Sequence, residues 1–223
     1  LVKNVGYFIA EGDEGFLMLS ETVAIILILM FAVILHEYAH GWVANQLGDS
    51  TAKIMGRLSL NPLKHIDPLG TILLPTILLL MRSMGYGTVI FGWAKPVPVN
   101  YFNLHHPKRD MIWVGLAGPA VNIILAILFS QLLKSQWAVG YEEVCVAGVF
   151  INLLLAIFNM IPIPPLDGSR LVMGILPNEL ARPYMRLEPY GILIVLLLLS
   201  SGFLDIFILP LISASARLLG VEL

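Results

Sequence analysis

The chain has 223 residues, 58% of them hydrophobic and 13% charged, with a formal net charge of -2 and a mean hydropathy of +0.86. That balance excludes an ordinary soluble domain and specifies a polytopic protein in a lipid bilayer, and its scattered basic residues exclude nucleic acid as a partner. The single cysteine, Cys145, lies in an apolar run, so no intrachain disulfide or cysteine metal cluster is available, and it reads as a small buried hydrophobe.

In chain order, residues 1–16 are mixed and acidic, with Glu11, Asp13 and Glu14, and read as an interfacial or loosely ordered tail. They lack the basic start of a cleaved signal peptide, so the first span is expected to serve as its own insertion signal. Residues 22–35 carry no charge, and the helical pattern runs on to about Gln46, where Gly48 ends it. Inside this span lies His36-Glu37-Tyr38-Ala39-His40. Side chains four apart share a helix face, so His36 and His40 can grip one metal ion with Glu37 beside it. From Glu21 to His36 a helix rises about 22 Å through a hydrocarbon core about 30 Å thick, which places the pair within the bilayer, nearer the far interface. Ionisable groups are costly there and need a joint reason to be present. Catalytic zinc supplies one: it takes three protein ligands, and the histidine-glutamate-x-x-histidine pattern makes the carboxylate a general base rather than a ligand.

Beyond Gly48, residues 53–60 alternate apolar and polar side chains, which predicts a half-buried strand. A second strand is predicted over 89–100, where Pro96 and Pro98 confine it to an edge. Together they predict a small membrane-associated β-hairpin or sheet. Residues 69–81 are uncharged but short for a crossing, which predicts a re-entrant or interfacial helix. Residues 111–133 and 144–161 are the next two spans. On the first, Gly115, Gly118 and Pro119 permit close approach of a neighbouring helix, and Asn122 needs a partner inside. The second carries Asn152 and Asn159 and is stopped by Pro162, Pro164 and Pro165. A last apolar run over 190–216, broken by Ser200-Ser201-Gly202 and Asp205, gives at least one C-terminal helix whose placement the sequence leaves open.

If 69–81 does not cross, the lysine- and arginine-rich residues 45–110 lie on one side, and 167–189, with Arg170, Arg182 and Arg186, return to it. The connection at 134–143, where Lys134 faces Glu142 and Glu143, lies on the other. The positive-inside rule makes the first side cytoplasmic. Asp167 then emerges on the side of the histidines and becomes the candidate third ligand. Asp205 is the weaker rival, since it follows a helix break. His65, His105 and His106, among cationic neighbours, read as solvated or headgroup-facing.

Two motifs together resemble the site-2 protease family of intramembrane zinc metalloproteases: His36-Glu37-Tyr38-Ala39-His40, and Asn159-Met160-Ile161-Pro162-Ile163-Pro164-Pro165-Leu166-Asp167-Gly168. Gly118-Pro119-Ala120-Val121-Asn122 is similar to the family's intervening helix. The resemblance implies one zinc per chain held by His36, His40 and Asp167, with Glu37 as base and Asn159 beside the metal as a group that steadies the oxyanion. It also implies the substrate class, transmembrane segments of other proteins cut by zinc-activated water. The expected architecture is the compact form of the family, without a PDZ domain or regulatory modules. It is all-α and polytopic, a single membrane-embedded protease domain over 1–223 with a catalytic core at about 20–175 and a C-terminal helical region at about 184–223. Three core spans carry the zinc site, in the plasma membrane of a prokaryote and nearer the cytoplasmic side.

A substrate helix hides its carbonyls and must unwind before cleavage. The predicted strands suggest a sheet edge that holds the opened segment, with a passive interfacial hairpin as the alternative. The alternative functions are a metal transporter using the same ligands and a catalytically silent scaffold. No internal repeat of the transporter kind is visible, and loss of activity would be expected to touch the base or a ligand. The sequence does not specify the substrate, the cut site or the oligomeric state.

Overall fold

The computed structural model describes residues 12–86 and 92–223. Most of the acidic tail, residues 1–11, and the first part of the second predicted strand, residues 89–91, lie outside the described residues. Helix α1 (Gly12–Gln46) is followed by a short α2 (Thr51–Ile54). A wide-turn segment, Pro68–Leu73, runs into α3 (Leu74–Ser83). The long α4 (Pro107–Leu133) and α5 (Glu142–Asn159) form an antiparallel pair. Then come α6 (Gly168–Ile175), α7 (Asn178–Met185), α8 (Gly191–Ser200) and α9 (Leu209–Leu218). Among the described residues, four helical stretches are long and apolar enough to cross a membrane: Ser20–Gln46, Pro107–Leu133, Glu142–Asn159 and Asn178–Ser200. The molecule is therefore an integral membrane protein.

The helix ends follow from local chemistry. At the end of α1, Gly48 adopts a φ of +111° and the Asp49 N–H donates to the Ala44 carbonyl (2.9 Å), a glycine C-cap that a side chain at 48 would strain. Helix α4 begins on Pro107, where a missing N–H costs nothing, and the Asp110 carboxylate reaches back to accept the His106 N–H (2.8 Å). Helix α5 stops at Asn159, before Pro162, as proline sterics require.

Small residues set the close packing. A Cβ built on Gly148 would lie 2.6 Å from the Phe129 ring, so α4 and α5 cross where one of them lacks a side chain. Ala126, Val149, Leu153, Ile208, Ile212 and Ala216 are buried together, so α9 packs on α5 and α4 rather than lying apart on the membrane surface. Large apolar side chains such as Ile26, Phe31, Ile124 and Leu193 face outward, as lipid contact allows.

No β-hairpin or sheet is present among the described residues. The first predicted strand is instead α2 followed by a turn through Gly56, whose φ is +63°. Alternation failed there because it presumes water on one side. Ile54 and Met55 are 80% and 62% exposed, so apolar residues point outward and the pattern has no inward face to report. Residues 92–100 form neither helix nor strand: Pro96 and Pro98 cannot donate to a ladder, and the N–H groups of Trp93, Lys95, Val97 and Asn100 go to other partners.

The short helix predicted over 69–81 exists, with Asp67 capping it through the N–H groups of Leu69 (3.0 Å) and Gly70 (2.8 Å). Its flanks return to one place. Lys95 N–H donates to the His65 carbonyl (2.8 Å) and His105 N–H to the Leu47 carbonyl (2.9 Å). The C-terminal end of α1 thus lies beside the N-terminal end of α4.

Candidate metal centre

His36 and His40 lie one turn apart on α1, and both are buried, at 6% and 8% exposed. Asp167 comes from the turn between α5 and α6. That turn is braced by Leu166 N–H to the Ile163 carbonyl (2.9 Å) and Ser169 Oγ to the Leu166 carbonyl (2.7 Å). Tyr184 OH donates to the Pro162 carbonyl (2.8 Å) and ties α7 to the same turn. Gly168 is required there, because a Cβ would meet the Met160 carbonyl oxygen at 2.3 Å.

Three ligand atoms converge. Asp167 Oδ2 is 3.0 Å from His36 Nε2 and 3.2 Å from His40 Nε2, and the two Nε2 atoms are 3.0 Å apart. Tetrahedral zinc with ligands at about 2.0–2.1 Å would hold such atoms about 3.3 Å from one another.

The other ring nitrogens fix the tautomers. His40 Nδ1 faces the Val114 carbonyl (2.7 Å), which can only accept, so Nδ1 carries the proton. His36 Nδ1 faces Asn122 Oδ1 (2.5 Å). The orientation of Asn122 is assigned by its own amide, which donates to Asn152 Oδ1 (2.9 Å) and the Ala32 carbonyl (3.4 Å). Both Nε2 atoms therefore direct lone pairs at one another and at a carboxylate. A proton on one imidazole satisfies part of this set, whereas a metal ion satisfies all of it. The donor set of two neutral imidazoles and one carboxylate fits zinc.

Helix α4 forms the floor. A Cβ on Gly118 would lie 2.4 Å from His40 Nε2 and 2.5 Å from His36 Nε2, so any side chain there would occupy the space of the ligands. Gly115 performs the same service for α6, since its Cβ would lie 3.0 Å from Arg170 Cβ. The expected close approach at these glycines is thus that of His36 and His40 at Gly118 and of α6 at Gly115.

Glu37 stands outside the three-residue cluster. Its Oε2 accepts the backbone N–H of Val97 (2.7 Å) from the extended segment. The Asn159 amide turns back on its own helix and donates to the Leu155 carbonyl (2.9 Å). The rival ligands lie elsewhere. Asp205 falls in a wide turn that leads into α9, and His105 and His106 are exposed. His65 departs from its solvated reading: it is 3% exposed, with Nε2 on the Ser59 carbonyl (2.7 Å). Sequence reasoning missed Asn122 as the partner of His36, although a lone amide in a span was the available signal. It also missed Val97, for which no signal existed because the contact uses only backbone.

Peptidase family M50 matches the chain over residues 130–201, the part that holds Asp167. YwhC of Bacillus subtilis (strain 168), whose name proposes a zinc metalloprotease, is 34% identical over 200 residues, 85% of this chain and 86% of that protein. Rip2 of Mycolicibacterium smegmatis, named in the same terms, is 30% identical over 181 residues, 79% of this chain and 66% of its own. The zinc metalloprotease MJ0392 of Methanocaldococcus jannaschii is 29% identical over 161 residues, 70% of this chain and 35% of that protein. No solved structure matches.

Proposed function

The chain belongs to peptidase family M50, the site-2 protease family, and is a zinc metalloprotease; from that premise we propose that it hydrolyses peptide bonds within or beside transmembrane segments of other membrane proteins. The observation that carries this reading is the convergence of three ligand atoms from α1 and the α5–α6 turn, inside a bundle of apolar helices. A protease site at that depth meets its substrates in the bilayer. Loops at the site's end of the bundle carry most of the lysines and arginines, which favours the cytoplasmic side of a prokaryotic plasma membrane.

His36, His40 and Asp167 would hold one zinc ion, which when bound supplies Lewis-acid activation of water and of the scissile carbonyl. Glu37 takes the proton of the attacking water on its carboxylate and passes it to the departing amine nitrogen. The Val97 N–H orients Glu37 by donating to Oε2, and Oε1 is the oxygen we assign to the proton. Asn159 steadies the developing oxyanion once its amide leaves the Leu155 carbonyl, a rotation within the reach of a half-buried side chain at a helix end. The apolar wall of α1 and α4 limits bulk water.

The test is reconstitution of the purified protein with zinc and a panel of single-span membrane proteins, against Glu37→Gln. Cleavage by the wild type, with zinc retained and cleavage reduced at least about 100-fold in the variant, is the expected result. Equal cleavage by both would remove Glu37 as the base. Zinc flux across vesicles without proteolysis would replace the protease reading with a transporter.

A further inference from the structure

The extended segment 92–100 lies beside the base, and its backbone pattern says what it can do. The Trp93 N–H donates to the Gly70 carbonyl (3.2 Å), Lys95 N–H to the His65 carbonyl (2.8 Å) and Val97 N–H to Glu37 Oε2 (2.7 Å). Pro96 and Pro98 have no N–H to offer. With these donors engaged by the protein's own scaffold and two more missing, the segment is poorly built to hold a substrate as an added strand.

It is well built to hold Glu37. Arg57 Nη2 donates to the carbonyls of Lys95 (3.0 Å) and Pro96 (3.2 Å). The Pro96 carbonyl and the Val97 N–H belong to one rigid peptide plane and point to its opposite sides. That plane is therefore gripped by a guanidinium at one end and a carboxylate at the other. A cation on the carbonyl polarises the amide and strengthens its N–H as a donor. Val97 is 6% exposed and packs on α1, where a Cβ at Gly41 would lie 2.7 Å from Val97 Cγ1.

We propose that Arg57 is a positioning residue for the general base: acting through the Pro96–Val97 peptide, it fixes Glu37 Oε2 and leaves Oε1 directed to the reacting water. This rests on the protease reading above. Arg57 is linked to Glu37 through that peptide rather than directly, so its loss should change the chemical step and leave zinc content as it is.

The experiment compares wild type, Arg57→Ala, Arg57→Lys and Glu37→Ala by steady-state cleavage of a reconstituted single-span substrate, zinc content, and amide hydrogen exchange of residues 93–100 in metal-free protein. Arg57→Ala should lower kcat by about 10- to 100-fold, with KM within about twofold and zinc content unchanged. Arg57→Lys should recover part of the loss. Lys64→Ala, which removes a nearby cation bound to the Gly56 carbonyl (2.7 Å), should leave kcat unchanged. Exchange at Val97 should accelerate in both Arg57→Ala and Glu37→Ala. Unchanged kcat and unchanged exchange in Arg57→Ala would overturn the proposal, as would loss of zinc or an effect on KM alone. If Arg57→Ala does not fold, unaltered Val97 exchange in Glu37→Ala overturns it as well. Absence of cleavage by wild type, with Val97 exchange still coupled to Arg57 and Glu37, would refute the protease reading while upholding the link.

Discussion

His36 can present Nε2 to a metal only while its other nitrogen keeps a proton, and Asn122 Oδ1 supplies the acceptor that keeps it there (2.5 Å). Asn122 is 0% exposed and is itself oriented by Asn152, whose amide donates to the Gly148 carbonyl (2.9 Å). A chain of amides thus runs from α5 through α4 to the ligand on α1, each donor with an acceptor. Replacement of Asn122 by alanine leaves the His36 N–H without a partner and Asn152 Oδ1 without a donor. The first loss should weaken zinc binding by about 10- to 100-fold, the usual cost of removing a partner from a ligating histidine. The second should cost about 0.6–1.7 kcal/mol of stability, as intramembrane hydrogen bonds do. Competition against a chromophoric zinc chelator reads the first, and undiminished affinity in Asn122→Ala would show that ring packing alone orients His36.

Among the elements, the extended segment is pinned at its far end by Asp49, which is 0% exposed. Its carboxylate accepts the Asn100 N–H (2.7 Å), the Asn103 amide (3.0 Å), the Thr51 N–H (3.1 Å) and the Thr51 hydroxyl. Burial would raise the Asp49 carboxyl, but these hydrogen bonds outweigh it and hold the carboxyl below the usual carboxylate range. Because the folded value lies below the unfolded one, this stabilisation is fully present above about pH 4 and is lost as the pH falls through the folded value. The melting temperature in detergent should therefore hold from neutral pH to about 5 and drop below about 4. Asp49→Asn should cost about 1.5–3 kcal/mol at neutral pH and flatten the acid limb. An acid limb identical to wild type would assign the loss to another carboxyl. These elements also show what the sequence could and could not say. The cluster of His36, His40 and Asp167 and the long spans are legible in the sequence because helical spacing, apolar length and proline stops act locally. The segment 92–100 reads as a strand from its sequence but pairs with none, because its partners are a guanidinium, two carboxylates and carbonyls of separate turns, none of them adjacent in sequence. The helix α2 is not legible from alternation, because exposed Ile54 and Met55 invert the rule that apolar means inside.

At the scale of the whole molecule, the site is completed by a topological condition: the ends of α1 and α5 must meet on one side of the bilayer. The hydrogen bonds from Asn100 to Asp49 and from His105 to Leu47 bring the described flanks of the 68–83 helix to one end of the bundle. Trp137 and Tyr141, 86% and 65% exposed, mark the opposite end, where indole and phenol groups suit the headgroup layer. The fold can therefore be tested by accessibility, with Cys145 first replaced by alanine to clear the background. Single cysteines at Lys53 and at Phe102, the latter 92% exposed, flank the short helix. They should both react with a membrane-impermeant maleimide only from the cytoplasmic face. A cysteine at Trp137 should react only from the outside. Labelling of Lys53 and Phe102 positions from opposite faces would mean that 68–83 crosses. Asp167 would then leave the bilayer on the side away from His40, and the three-ligand centre would fail with it. Same-face labelling of all three positions would instead deny that α4 spans, although its 27 residues rise about 40 Å, enough for a hydrocarbon core of about 30 Å.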